Sequence, residues 1–114
     1  MSQTSTKILL SQTPFTSITN IIGEKQSAAS YYLSSKTQQT VTWNLTNVTG
    51  LMVIQASLVT EPSNSDSDWF TVYTLLCSSM TQSSFANIVG NYVWMRAKMM
   101  SFSSGVIQNI KLSY

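Results

Sequence analysis

The side chains able to do chemistry in this sequence are few, and their spacing is poor for catalysis. It has four carboxylates, Glu24, Glu61, Asp66 and Asp68, a single thiol at Cys77, and no histidine. Without histidine the commonest general base and the commonest metal ligand are both missing. One cysteine makes neither a zinc site nor an internal disulfide, and with no imidazole to serve as its base Cys77 reads as a small buried hydrophobe. Asp66 and Asp68 stand two apart in a Ser-rich loop, where aspartates usually bond to nearby backbone amides. They lack the oxygen-ligand spacing of a calcium loop, and a glycosidase needs carboxyl groups facing each other across a sugar. The four glycines are isolated, so there is no phosphate-cradling loop. The expectation is a protein that is not an enzyme and uses no cofactor or metal.

Recognition chemistry is better supplied. Trp43, Trp69 and Trp94 are accompanied by five tyrosines. Tyr92, Trp94, Arg96 and Lys98 alternate with Val93, Met95, Ala97 and Met99. Tyr, Trp and Arg are the types enriched where protein surfaces bind one another. The first set is therefore a candidate interface or ligand surface. Two other readings stay open: a structural cation–π ladder across neighbouring strands, or a reversed strand with Trp94 inside. Trp69, with Asp68 beside it and Tyr73 on the following strand, is a candidate sugar-stacking group. Trp43 alternates with Val41 and Leu45, which places it in a core.

The elements that must hold these groups are strands. Helical periodicity is weak, whereas period-two alternation recurs in short runs between turn residues. Thr40–Leu45 puts Val41, Trp43 and Leu45 on one face. After Asn47–Gly50 breaks that run, Leu51–Leu58 is apolar on both faces at its start. That pattern marks a central strand covered on both sides, or one face at a subunit contact. Glu61–Asp68 is a loop by composition, Trp69–Leu76 a β-branched and aromatic strand, and Ser78–Ser84 a polar connection. Tyr92–Met99 follows. Ser103-Ser104-Gly105 then turns into Val106–Tyr114, with Gly105 supplying a positive φ. Ile8–Ser11, Ile18–Ile22 and Ala28–Leu33 are further strand candidates, and Thr13-Pro14 fits a bend or an edge. The expected fold is all-β: a single β-sandwich, with a jelly roll as its topology and about seven or eight antiparallel strands. Residues 1–6 form a flexible N-terminal tail and residues 7–114 one domain.

Composition narrows the partners. Only 9% of residues are charged, against about 25% in an average domain. Ser, Thr, Asn and Gln take their place, and uncharged polar faces are cheap to desolvate in subunit contacts. The six basic residues are scattered, apart from Arg96 and Lys98, which argues against nucleic-acid binding. No apolar run is long enough to span a membrane as a helix, and the N-terminus has no secretory pattern. The expected place of synthesis and assembly is a cytoplasm. The sequons Asn44-Leu45-Thr46 and Asn47-Val48-Thr49 are then accidents of an Asn/Thr-rich strand.

One resemblance can be stated on particular residues. Gly50-Leu-Met-Val-Ile-Gln-Ala-Ser-Leu58, Glu61-Pro62, Asp68-Trp69-Phe70, Gly90-Asn91-Tyr92-Val-Trp94-Met-Arg96-Ala97, Phe102 and Gly105-Val-Ile resemble small virion structural proteins of tailed phages. The likeness is greatest to those of the T4-like phages of marine cyanobacteria, and it covers residues 40–114. It implies a tail, baseplate, fibre or capsid-decoration component, assembled in the host cytoplasm and located in the virion. Its partners would be other virion proteins and copies of itself, as a homo-oligomer, often a trimer. A weaker similarity to galactose-binding-like jelly rolls supplies the alternative: a carbohydrate-binding module that recognises a host-surface glycan.

Overall fold

A computed structural model describes residues 6–16, 20–28, 38–59, 61–63 and 65–114. The all-β expectation holds, with seven strands in one antiparallel sheet. Three strands carry it: β5 (Gln38–Ser57), β6 (Phe70–Val89) and β7 (Trp94–Ser113), twenty residues each. Four short ones run in succession along the outer side of β7: β1 (Thr6–Leu10), β2 (Thr13–Pro14), β3 (Ile21–Ile22) and β4 (Gln26–Ser27). The order is β1-β7-β5-β6, with β2, β3 and β4 also on β7. The described strands belong to one hydrogen-bonded sheet, so the two separate sheets of a jelly roll are not present among them.

Two layers arise all the same, because the long strands fold over. Twenty extended residues span about 66 Å, yet the molecule measures 40 × 33 × 18 Å. The bend falls on one line across the sheet. Register slips between Leu45 and Gly50 on β5, and the left-handed residues gather there: Asn47 (φ 52°), Ser79 (φ 46°), Ser101 (φ 54°) and Gly105 (φ 94°). Each slip inserts an extra residue, which sharpens the local twist and bend. Side chains stitch the line together. Thr81 Oγ1 accepts from the Asn47 amide at 3.0 Å and Thr49 Oγ1 from the Ser79 amide at 2.9 Å.

The slip also switches which residues face inward. Val41, Trp43 and Leu45 point into the core before the bend, and Val48, Met52, Ile54 and Ala56 after it. Met95, Ala97 and Met99 join them from β7, as their alternation implies. At the open end of the fold the two ends of β7 come together. Ser27, opposite Trp94, bonds to the Tyr114 hydroxyl at 3.3 Å and accepts from Lys7 Nζ, which lies opposite Leu112.

Several expected boundaries move. Thr40–Leu45 and Leu51–Leu58 are two arms of the single strand β5. The connection expected at Ser78–Ser84 is the middle of β6, and Gly105 lies inside β7. Thr6 opens β1 and so does not belong to the expected tail. Residues 1–5, Ile18, Thr19 and residues 29–33 lie outside the described residues. Thr13-Pro14 is an edge element, as its proline requires.

Candidate functional site

The outer face of the β5–β7 pair carries the aromatic and basic residues singled out in the sequence. In antiparallel register opposite residues share a face. Ser57 with Trp94, Gln55 with Arg96 and Val53 with Lys98 therefore form three rungs facing away from the core. The loop after β5 folds back across them. Asp68 closes a 3₁₀ turn (Asp66–Asp68), and its Oδ2 accepts from the Ser63 amide and hydroxyl, both at 2.8 Å. Those bonds, the backbone one above all, hold the Asp68 carboxyl below its ordinary pKa. Trp69 Nε1 donates to the Ser63 carbonyl at 2.7 Å, which fixes the indole over the sheet.

Beneath it lies Arg96. Its guanidinium sits 4.4 Å from the Trp69 ring and its Nε donates to Gln55 Oε1 at 2.8 Å. Arg96 is 1% exposed and Trp69 7%. Lys25 pins the loop's other side: its Nζ donates to the Pro62 carbonyl at 3.1 Å and lies 5.3 Å from the Trp94 ring. No buried side-chain nitrogen or oxygen among the described residues lacks a partner.

This arrangement corrects the expected surface. Arg96 is a buried support. Trp94 and Lys98 are half-buried on the same face, whereas Tyr92 precedes the strand and packs against the core, 5.7 Å from Phe70. The four do not form one exposed patch, because the loop after β5 needs an apolar-and-cationic floor and takes theirs. Cation–π contacts are present, Arg96 with Trp69 and Lys25 with Trp94, but each joins β7 to a residue outside the strands, so they are not a ladder across neighbouring strands.

The sugar-stacking set is also divided. Trp69 has one ring face on Arg96, and the Asp68 carboxylate is occupied by Ser63. Tyr73 is on the opposite side of the sheet, stacked on Trp43 with centroids 5.6 Å apart. A groove of about 480 Å³ beside β1 is lined by Ile8, Leu9, Leu10, Ile22 and others, and Glu24 is its only ionisable residue among those described. Among the described residues no three of Cys, Asp and Glu approach closely enough to hold a metal. Cys77 is buried on β6, and burial raises its thiol pKa, partly offset by the Met52 backbone.

A surface of another kind lies at the edge of the sheet. β6 has β5 on one side and no described strand on the other. Across all twenty of its residues it has no charge and no proline. Leu76, Phe85 and Val89 are 75%, 61% and 70% exposed. Native edges are normally blunted by lysine, proline, bulges or shortness. The opposite edge has all four: Lys7 and Lys25, Pro14, a register slip between Ile8 and Leu10, and four strands of at most five residues. The expected strand Trp69–Leu76 is the first arm of β6, and the second arm is hidden because Ser78–Ser84 has the composition of a connection. The available signal was that no charged residue occurs between Asp68 and Arg96.

Fold and surface together define an all-β chain built on one folded-over antiparallel sheet, with one blunted edge and one edge that has no further strand among the described residues. Neither protein-family models nor curated protein sequences give a match to this chain.

Proposed function

We propose that this chain is a non-enzymatic structural protein that works by protein–protein assembly, as a tail, baseplate, fibre or capsid-decoration component of a tailed-phage virion. The observation that carries the assembly reading is β6, a long, uncharged edge with exposed Leu76, Phe85 and Val89, which has no second strand neighbour among the described residues, whereas the opposite edge is blunted. A free monomer gains nothing from such an edge and risks aggregation, whereas a subunit of a larger particle can use it for pairing. The scarcity of charge agrees with surfaces that are desolvated on assembly. The resemblance of residues 40–114 to phage virion proteins points the same way and gives the reading its location.

The carbohydrate-binding alternative has less behind it. A sugar ring needs an open aromatic face with polar groups beside it, and Trp69 and Asp68 already have partners within the chain. The discriminating experiment is quantitative mass spectrometry of purified particles from an infected culture. Several copies of the chain per particle are expected. Its absence from particles, together with binding to a glycan array, would reverse the choice.

A further inference from the structure

We infer that β6 pairs with β6 of a second copy, antiparallel, about a two-fold axis through its bend. The inference rests on the assembly reading above and names the first partner in it. About half of the backbone N–H and C=O groups of β6 point away from β5, as in any strand with one neighbour. The partner must therefore be a strand, and its shape is constrained. β6 is bent at Ser79 (φ 46°), next to the midpoint of Phe70–Val89. A straight peptide could follow only one arm. A strand that matches both arms must itself bend at its middle, and a second β6 does so. A two-fold axis bisecting the bend carries each arm onto the other, so the paired sheet folds along one continuous line.

The side chains agree with that register. With Ser79 opposite Met80 of the second copy, Thr74 meets Phe85 and Leu76 meets Ser83, all on the outer face. Tyr73 meets Ala86 and Leu75 meets Ser84 on the inner face. Inner residues meet inner and outer meet outer along both arms, Tyr73–Cys77 against Gln82–Ala86, and only at the bend does an exposed residue, Ser79, meet an inward one, Met80. No like charges oppose, since β6 has none. The contact is isologous, which closes the pair and avoids an open fibre.

The test is the solution mass of the full chain by light scattering, with two variants. The wild type is expected at 25.2 kDa, twice 12.6 kDa. In the Leu76→Lys, Phe85→Lys variant the lysines of the two copies become diagonal neighbours about the axis. Both side chains point into solvent in the single chain, so the variant is expected to keep its circular dichroism and run at 12.6 kDa. Should it fail to fold, the Leu76→Cys, Ser83→Cys variant still decides. Those positions oppose each other between copies, so mild oxidation should give a covalent dimer on a non-reducing gel. A wild-type monomer, a mass of three chains, an unshifted lysine variant or no covalent dimer would each overturn the two-fold pairing. The virion reading is judged separately. A monomer or trimer present in purified particles keeps it, whereas a β6 dimer absent from particles removes it.

Discussion

Trp43 and Tyr73 stack with ring centroids 5.6 Å apart and planes 30° from parallel, although Tyr73 lies opposite Ile54, eleven residues beyond Trp43 along β5. On a straight strand those eleven residues would hold them roughly 36 Å apart. The contact therefore joins the two layers of the folded sheet, and Trp43 Nε1 adds a bond to Gln82 Oε1 at 3.1 Å. Trp43→Ala should cost about 3–5 kcal/mol, a large share of the roughly 5–15 kcal/mol that holds such a domain together. A double-mutant cycle with Tyr73→Ala, read by urea unfolding, should return about 0.5–1.5 kcal/mol of coupling. Zero coupling would mean that the layers do not depend on this pair.

The alternation that places Trp43 inward is legible because no extra residue on β5 falls between its members. Val41, Trp43 and Leu45 are inside as expected, and so are Met95, Ala97 and Met99. Met52–Ser57 is a central segment covered on both sides, with Trp69 on Arg96 as part of the cover, whereas Leu58 lies beyond the strand and is exposed. The bend itself was misread. Asn47–Gly50 and Ser103–Gly105 carry turn chemistry, and a bulge within a strand requires the same positive φ as a turn between strands. The burial of Arg96 could not be read locally either, because its cover comes from a loop twenty-seven positions earlier. Polar β6 residues such as Ser78 and Ser83 looked like a loop for a similar reason: an edge strand needs little apolar character when only one neighbour holds it.

Gly105 tests the bend directly. Its φ of 94° is hostile to a side chain, and a Cβ there would collide with the Asn47 carbonyl on β5. Gly105→Ala should cost at least about 1–3 kcal/mol from backbone strain, with the collision in addition. A thermal melt would show a drop of roughly 4 °C or more for each kcal/mol. An unchanged midpoint would show that the bend does not need this close approach.

The buried cation makes a separate demand. Gln55 Oε1 accepts from Arg96 Nε, so Arg96→Met keeps the volume but leaves that oxygen without this donor. A loss of about 1–3 kcal/mol is expected. Adding Gln55→Leu removes the stranded acceptor and should recover part of it, since matched apolar replacements of buried polar groups are often near neutral. Trp69→Ala should cost about 3–5 kcal/mol through lost volume, and less in the Arg96→Met background than in the wild type. Additive losses in chemical denaturation would sever the link between indole and guanidinium.

Asp68 gives the loop a pH dependence of known sign. Its folded pKa is below the ordinary 3.8, mainly through the Ser63 amide. A depressed carboxyl stabilises the fold fully above the ordinary value and loses that contribution as pH falls through the folded one. The latch on Trp69 should therefore be intact from neutral pH down to about 3.8 and loosen below it. Tryptophan fluorescence of the folded chain, titrated with acid, should move only in that lower window. Asp68→Asn should weaken the latch at all pH values and abolish the transition. A transition centred near pH 6 would assign it to a different group.

Cys77 reports on the open edge. Its thiol is buried on β6 opposite Gly50, and burial holds its pKa above the usual 9.0. A raised pKa leaves little thiolate at neutral pH, and a thiol reagent reaches the sulfur only when β6 lifts from β5. Labelling of the native chain should be slower than that of the urea-unfolded chain by on the order of a hundredfold or more. With one strand as its neighbour, β6 should open more readily than β5 or β7. Pairing between copies would hold it down, because anything that binds only the closed state lowers the open population. The labelling rate should then fall as chain concentration rises, and this dependence should vanish in the Leu76→Lys, Phe85→Lys variant. A rate that is independent of concentration in the wild type would separate Cys77 protection from association and leave the fold of the single chain as its sole cause.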